Sequence, residues 1–286
     1  LSITVNGDVD AAFTATKLDA LLSLDGKTSE TIDASEVTSV SGTYAKLSAL
    51  YAAGEAGPIS GLGDEAVTVS SPILVVEANT VASKTIGVVT ASMSNTNLAD
   101  YAALTETDNA YTITLNDASV DASALRALDA KTTVAITATS MTSLSGSYAD
   151  VLAVLNSAGV TTSSTADAIA LTITGSISVA EANTLDGLTE VGVVTATIST
   201  SDMASLAASS GTHAYSITVT DSSVDAADLN TLAGKTSVDV NASAVTTLTG
   251  GTADVADFST AYGGGSGISG LGNEAITITG SLTAAQ

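Results

Sequence analysis

At residues 111–132 the chain reads YTITLNDASVDASALRALDAKT, and at 215–236 it reads YSITVTDSSVDAADLNTLAGKT, the same phrase 104 residues later. Each copy opens with an alternating stretch, Ser216-Ile217-Thr218-Val219 in the second. Alternation puts apolar side chains on one face and hydroxyls on the other, the period of a strand. An apolar residue then follows at +5 and +8 from another, as in Val120, Leu125, Leu128 and in Val224, Leu229, Leu232. That spacing predicts a short helix laid back across the strand layer.

The register extends outward from this phrase. Glu77-Ala78-Asn79-Thr80 recurs as Glu181-Ala182-Asn183-Thr184, GVVTAS at 87–92 recurs as GVVTAT at 192–197, and ISGLGDEAVTV at 59–69 returns as ISGLGNEAITI at 268–278. The long repeats run 1–65 (partial, with an insertion near Asp8 to Thr16), 66–169, 170–274 and 275–286 (partial). Within one long repeat lie four shorter units, 66–86, 87–110, 111–132 and 133–169. A strand followed by a helix and then another strand is a crossover connection, which specifies parallel strands and a right-handed path. The expected fold is therefore an α/β repeat protein: one continuous right-handed solenoid over 1–286, with about eleven strand–helix coils and a parallel sheet. An alternative pairs the strands into a two-sheet β-solenoid with coils of about 45 or 60 residues.

Local signals fill in this frame. Thr43 and Ser147 are expected to cap helices over YAKLSALYAA and YADVLAVLNSA, with Gly54 and Gly159 at their C-terminal ends. Lys27, Lys84, Lys131 and Lys235, each followed by Thr, share one position after a short helix, where a cation faces the negative helix end. Thr4, Thr68, Thr114, Thr172, Thr218 and Thr277 sit between apolar neighbours and predict a Thr ladder on the outer face. Gly61 and Gly63 are read as a corner from helix to strand rather than a ligand loop. The middle copy, TTSSTADAIALTI at 161–173, keeps the strand yet lacks both glycines and the Glu.

Composition narrows the function. The chain has 30 acidic and 7 basic residues, a net charge of −23, which repels nucleic acid and anionic membranes. No Cys is present, which removes disulfides, thiolate metal sites and thiol catalysis. No uninterrupted apolar run approaches 18 residues, so no membrane span is expected. With no Trp and only two Phe, the core must come from Val, Ile, Leu and Ala.

Catalytic constellations are missing from the sequence. His213, the only His, stands in SSGTHAYS and is read as a solvated loop residue. There is no G-x-S-x-G elbow, and Ala233-Gly234-Lys235-Thr236 lacks the upstream Gly of a phosphate loop. The chain is accordingly read as no enzyme. Calcium is the candidate cofactor: the turns NGDVD (Asp8, Asp10), NDASVD (Asp117, Asp121) and TDSSVD (Asp221, Asp225) place carboxylates two or four residues apart. The competing reading has Asp117 and Asp221 making turns while Asp121 and Asp225 cap the short helix. Glu65 and Glu274 are further candidate cation ligands, and Asn241-Ala242-Ser243 is a glycosylation triplet.

ISGLGNEAITI, VDAADLNTLAGKT at 224–236 and VNASAVTTLTG at 240–250 resemble the tandem repeats of giant cell-surface proteins of marine picocyanobacteria. The likeness covers nearly the whole chain and is strongest over 215–286, while residues 1–26 depart from it. It implies a secreted or cell-surface protein of very large size, exported without a classical cleaved leader, that serves an envelope layer, adhesion or surface motility. It carries no site residue with it. Neither end of the sequence has the polar, atypical cap of a closed solenoid, so the expected partners are copies of the chain or flanking repeats of a longer one. The expected role is structural, a segment of a surface layer, filament or stalk. The alternative is an adhesin-type module that binds glycan or calcium.

Overall fold

The structure is a computed structural model describing residues 3–4, 12–163, 169–188, 192–252, 255–263 and 267–280. It is a mixed α/β fold in which strands and helices alternate along the chain. The chain divides into two compact units. One comprises Leu1–Ala118, Ala124–Met141 and Ser157–Ser163, the other Ser119–Ser123, Thr142–Asn156 and Ser164–Gln286.

In the first unit, Ala12–Phe13, Ser39–Gly42, Ala66–Val69, Val89–Ser92 and Ala110–Thr112 form one five-stranded parallel sheet in chain order. Parallel bridges from Asn109 to Thr132 and from Thr114 to Thr137 carry this ladder onward to Ile136–Thr137, which pairs with Val160–Thr161. A smaller parallel sheet joins Ile3–Thr4, Ile32–Asp33 and Ile59–Ser60. Helices Tyr44–Ala56 and Val75–Ala82 and the 3-10 turn Leu98–Ala103 make the crossovers between successive strands of the larger sheet.

The second unit repeats the plan. Ser119–Asp121, Ser143–Gly146, Ala170–Ile177, Val194–Ile198 and Ala214–Ser216 form its five-stranded parallel sheet, and bridges from His213 to Thr236 and from Thr218 to Asn241 extend it. Val240–Asn241 pairs with Ile268–Ser269, and Ser223–Asp225, Thr247–Gly251 and Ala275–Thr279 form a three-stranded parallel sheet. Its crossovers include Tyr148–Leu155, Val179–Asp186 and Met203–Leu206.

All strand pairs among the described residues are parallel, and paired residues lie 19 (Thr195 to Ala214) to 29 (Ile3 to Ile32) positions apart. That is the spacing of consecutive strand–helix units, not of a 45- or 60-residue coil. The physical reason is that each crossover contains one helix, in several cases beside a short strand of another sheet, and returns the chain to the adjacent strand position.

The expected core is in place. Val120, Leu125 and Leu128 are buried, as are Val224, Leu229 and Leu232, and Leu98 and Tyr101 are buried at the same +5 and +8 spacing from Met93. Val67, Val89, Tyr111 and Ile113 line the interior of one unit, and Leu171, Val194, Tyr215 and Ile217 the interior of the other. Each such side chain is worth about 1.5–3 kcal/mol of burial. Outside, the hydroxyl ladder is real but mixed. Thr68 is flanked by Ser41 and Thr90, and Thr172 by Ser145 and Thr195, so Ser shares the row that was expected to be Thr alone. Among the described residues, no helix is long and apolar enough to cross a membrane.

Two helix ends differ from the sequence reading. The helix Tyr44–Ala56 runs through Gly54 and stops at Gly57, whose φ of +98° is the left-handed conformation a C-cap needs. Tyr148–Leu155 ends at Asn156, three residues before Gly159. Gly159 instead lies against the carboxylate of Asp129, where a Cβ would overlap Asp129 Oδ1. Of the two N-caps, Ser147 accepts from the Asp150 N–H, whereas the Thr43 side chain makes no cap bond.

Candidate functional site

Four features were singled out by the sequence: the carboxylate turns, the Lys-Thr position, the Gly-Leu-Gly corner with its Glu, and the lone His.

Asp117 and Asp221 occupy equivalent places. Asp117 Oδ2 accepts from the Leu98 N–H at 2.7 Å and Asp221 Oδ2 from the Met203 N–H at 2.7 Å. Both carboxylates therefore close the N-terminus of the short helix in the preceding strand–helix unit, rather than a turn of their own. A negative charge at that end is favoured by the helix dipole. Asp225 Oδ1 accepts from Ala227 N at 3.0 Å and Asp228 N at 3.4 Å, the helix cap expected of it, and Asp121 Oδ1 accepts from the Ser123 hydroxyl. Asp8 and Asp10 lie outside the described residues. Among the described residues no group of three or more His, Asp or Glu converges as a metal site.

The Lys-Thr position is explained chiefly by its Thr. The hydroxyls of Thr28, Thr85, Thr132 and Thr236 each accept the backbone N–H two residues on, closing a small turn after the helix. Three of them also donate to a carbonyl of a neighbouring strand–helix unit: Thr85 to Glu65, Thr132 to Tyr111 and Thr236 to Tyr215. Two of the Lys side chains bond to neighbouring units instead of to their own helix end. Lys84 pairs with Glu55, and Lys131 donates to the Thr105 carbonyl at 2.6 Å.

At the corner, Gly61 has φ +82°, and a Cβ there would stand 2.6 Å from the Ser35 backbone nitrogen. Gly270 repeats this with φ +87° and a distance of 2.8 Å to Ser243 N. Glycine is thus required by conformation and by close approach together. The turn aims Glu65 inward, where it is fully buried. The Tyr51 hydroxyl donates to Glu65 Oε1, and the Gly63 N–H donates to Oε2 at 2.7 Å. Burial first, and then the bond to Glu65, push the Tyr51 phenol far above its ordinary range. In the second copy Tyr262 donates to Glu274 at 2.6 Å and Gly272 N–H binds the same carboxylate, but there the pair is exposed. Both Glu side chains considered as cation ligands are thus committed to a Tyr and a Gly. A cavity of about 330 Å³ adjoins the first corner, lined among others by Tyr51, Glu55, Leu62 and Lys84.

Sequence reasoning missed the Tyr. Its signal was present, because the middle copy replaces Tyr51 with Leu155 and Glu65 with Ile169, exchanging both polar partners for apolar ones at once.

His213 corrects the reading of a solvated loop residue: it is 6% exposed. Its Nε2 lies 2.8 Å from Asp186 Oδ1, and its Nδ1 accepts the Val194 N–H at 3.3 Å. Asp186 Oδ2 accepts from the Ser210 hydroxyl at 2.6 Å. That bond is the main cause holding the Asp186 carboxyl below the usual range; partial desolvation opposes it and His213 adds to it. Ser, Asp and His are together here, but in the wrong order for nucleophilic catalysis. The serine bonds the carboxylate, and the imidazole nitrogen that a serine would need is occupied by a backbone amide.

No protein-family model, curated protein or solved structure matches this chain.

Proposed function

We propose that this chain is a structural segment of a secreted, acidic repeat protein that builds a cell-surface layer, filament or stalk by end-to-end or lateral association. In this reading its strand–helix units wind as a right-handed solenoid of about eleven coils, since parallel strands joined by single helices take that hand in nearly all cases. The observation that carries the reading is how the polar side chains are used. Asp117, Asp221, Thr85, Thr132 and Thr236 all bond the backbone of a neighbouring unit, which makes stacking the main product of the sequence.

Stacking also leaves something to be covered. Val67 and Leu171 are fully buried beneath the strands Val89–Ser92 and Val194–Ile198, whereas the equivalent Ile276 is 51% exposed. The strand Ala275–Thr279 is paired on one side only among the described residues. An open parallel edge with an apolar side chain is a template for another strand, from a further repeat or a second copy.

Electron microscopy and sedimentation of the purified chain test this. Concentration-dependent rods, filaments or layers that an Ile276→Asp variant fails to form are the expected result. A strictly monomeric wild-type chain at high concentration would overturn the assembly reading.

A further inference from the structure

The two long repeats solve one structural problem with different chemistry. Where a strand begins on its neighbour, the Val89 N–H of the first repeat is accepted by Asn109 Oδ1 at 2.8 Å. In the second repeat the equivalent Val194 N–H is accepted by His213 Nδ1 at 3.3 Å. Asn109 and His213 are both buried, at 5% and 6% exposure. A carboxamide oxygen accepts at every pH, whereas Nδ1 accepts only while the imidazole is neutral.

The substitution did not come alone. Asp186 stands where the first repeat has Ala82. Ser210 keeps the hydroxyl of its counterpart Thr105, since the N–H of each donates to the side-chain oxygen of the equivalent Asn183 or Asn79, and the stretch from Ser210 to His213 is one residue shorter than that from Thr105 to Asn109. Gly211 has φ +68°, and a Cβ on it would overlap Asp186 Oδ1 and come within 2.7 Å of His213 Nε2. Asp186, His213 and the shortened loop carrying Gly211 therefore occur together, and together they seat an imidazole against a carboxylate. Asp186 fixes the tautomer: Nε2 carries the proton that faces Oδ1, which leaves Nδ1 as the acceptor.

We propose that His213 is a pH-gated hydrogen-bond acceptor, which holds the start of the strand Val194–Ile198 only while its imidazole is neutral. On protonation, Nδ1–H meets the Val194 N–H head-on and that bond is lost. The imidazolium itself is not expelled, because Asp186 pairs with it and Ser210 anchors Asp186. Among the described residues, the charged or titratable groups facing it are Asp186 at the end of helix Val179–Asp186, Tyr215 on its own strand with ring centroids 5.3 Å apart, and Lys235 after helix Ala226–Ala233. Lys235 presents its backbone carbonyl to the His213 N–H. The strand Val194–Ile198 contributes no ionisable side chain. Proton uptake is thus absorbed by one buried amide, and the first repeat, with Asn109, lacks the device.

The first repeat also supplies the control. Residue-resolved hydrogen exchange on the whole chain from pH 8 to pH 5 compares Val194 with Val89. The ratio of their protection factors is expected to fall by about tenfold as pH drops, because a buried amide loses its acceptor on one side only. His213→Asn, which installs the residue the chain already uses at 109, is expected to keep the ratio constant. A ratio unchanged in the wild type, or a fall that persists in His213→Asn, overturns the proposal. So does a cooperative loss of far-UV circular dichroism in the same pH window, which would make the event global rather than local.

Discussion

The buried Tyr51–Glu65 pair can be dissected with residues the protein itself supplies, because the next repeat carries Leu155 and Ile169 at the same places. Glu65→Ile removes the acceptor of the Tyr51 hydroxyl and of the Gly63 N–H. With Tyr51 only 5% exposed, its orphaned hydroxyl costs about 2 kcal/mol. Tyr51→Leu strands a fully buried carboxylate on a single amide, about 3 kcal/mol, and also loses the packing of the ring, about 2 kcal/mol. The double variant leaves no unpaired buried side-chain group and loses only the packing of the ring, about 2 kcal/mol. The two changes are therefore strongly non-additive: in a double-mutant cycle measured by urea unfolding the single losses together exceed that of the double by about 5 kcal/mol. Additive effects within about 0.5 kcal/mol would refute the reasoning, since they would mean that the carboxylate and phenol do not depend on each other.

Three further outcomes follow from other parts of the structure. Gly61→Ala is expected to destabilise by more than about 2 kcal/mol, because it combines φ +82° with a backbone clash; Gly57→Ala, at φ +98° in open space, costs about 1 kcal/mol, and thermal unfolding separates the two. Tyr111 and Tyr215 are buried, and their hydroxyls have no hydrogen-bond partner among the described residues, so Tyr111→Phe and Tyr215→Phe are expected to change stability by less than about 0.5 kcal/mol or to raise it. Asp186 has a native carboxyl below its unfolded value, so its contribution is present above the ordinary carboxylate range and is lost as pH falls through the lower native value. Ser210→Ala removes the largest cause, and an NMR titration is expected to show the Asp186 carboxyl moving up.

The strand and helix pattern was legible because it depends on local periodicity. The set Val224, Leu229 and Leu232 reads as one buried face without any knowledge of what covers it. The Gly61 corner was legible as well, because a repeat that discards its glycines while keeping its strand shows that they serve geometry. The candidate ligands were harder to read. Asp117 looks like a turn residue from its neighbours, yet its partner, Leu98 N–H, lies 19 positions earlier in the chain. Gly159 looks like a helix end, but it is a glycine because of Asp129.

The sequence alone thus determined the repeat length, the alternation of strand and helix and the identity of the apolar core, all of which follow from spacing along one chain. Only tertiary structure decided where the polar groups go. Glu65 faces Tyr51, and His213 lies between Asp186 and the Val194 amide, at separations of 14 to 27 residues. A desolvated polar group must find a partner wherever the fold brings one. That partner is set by which strands become neighbours, and adjacency of strands is a property of the stacked chain, not of its local pattern.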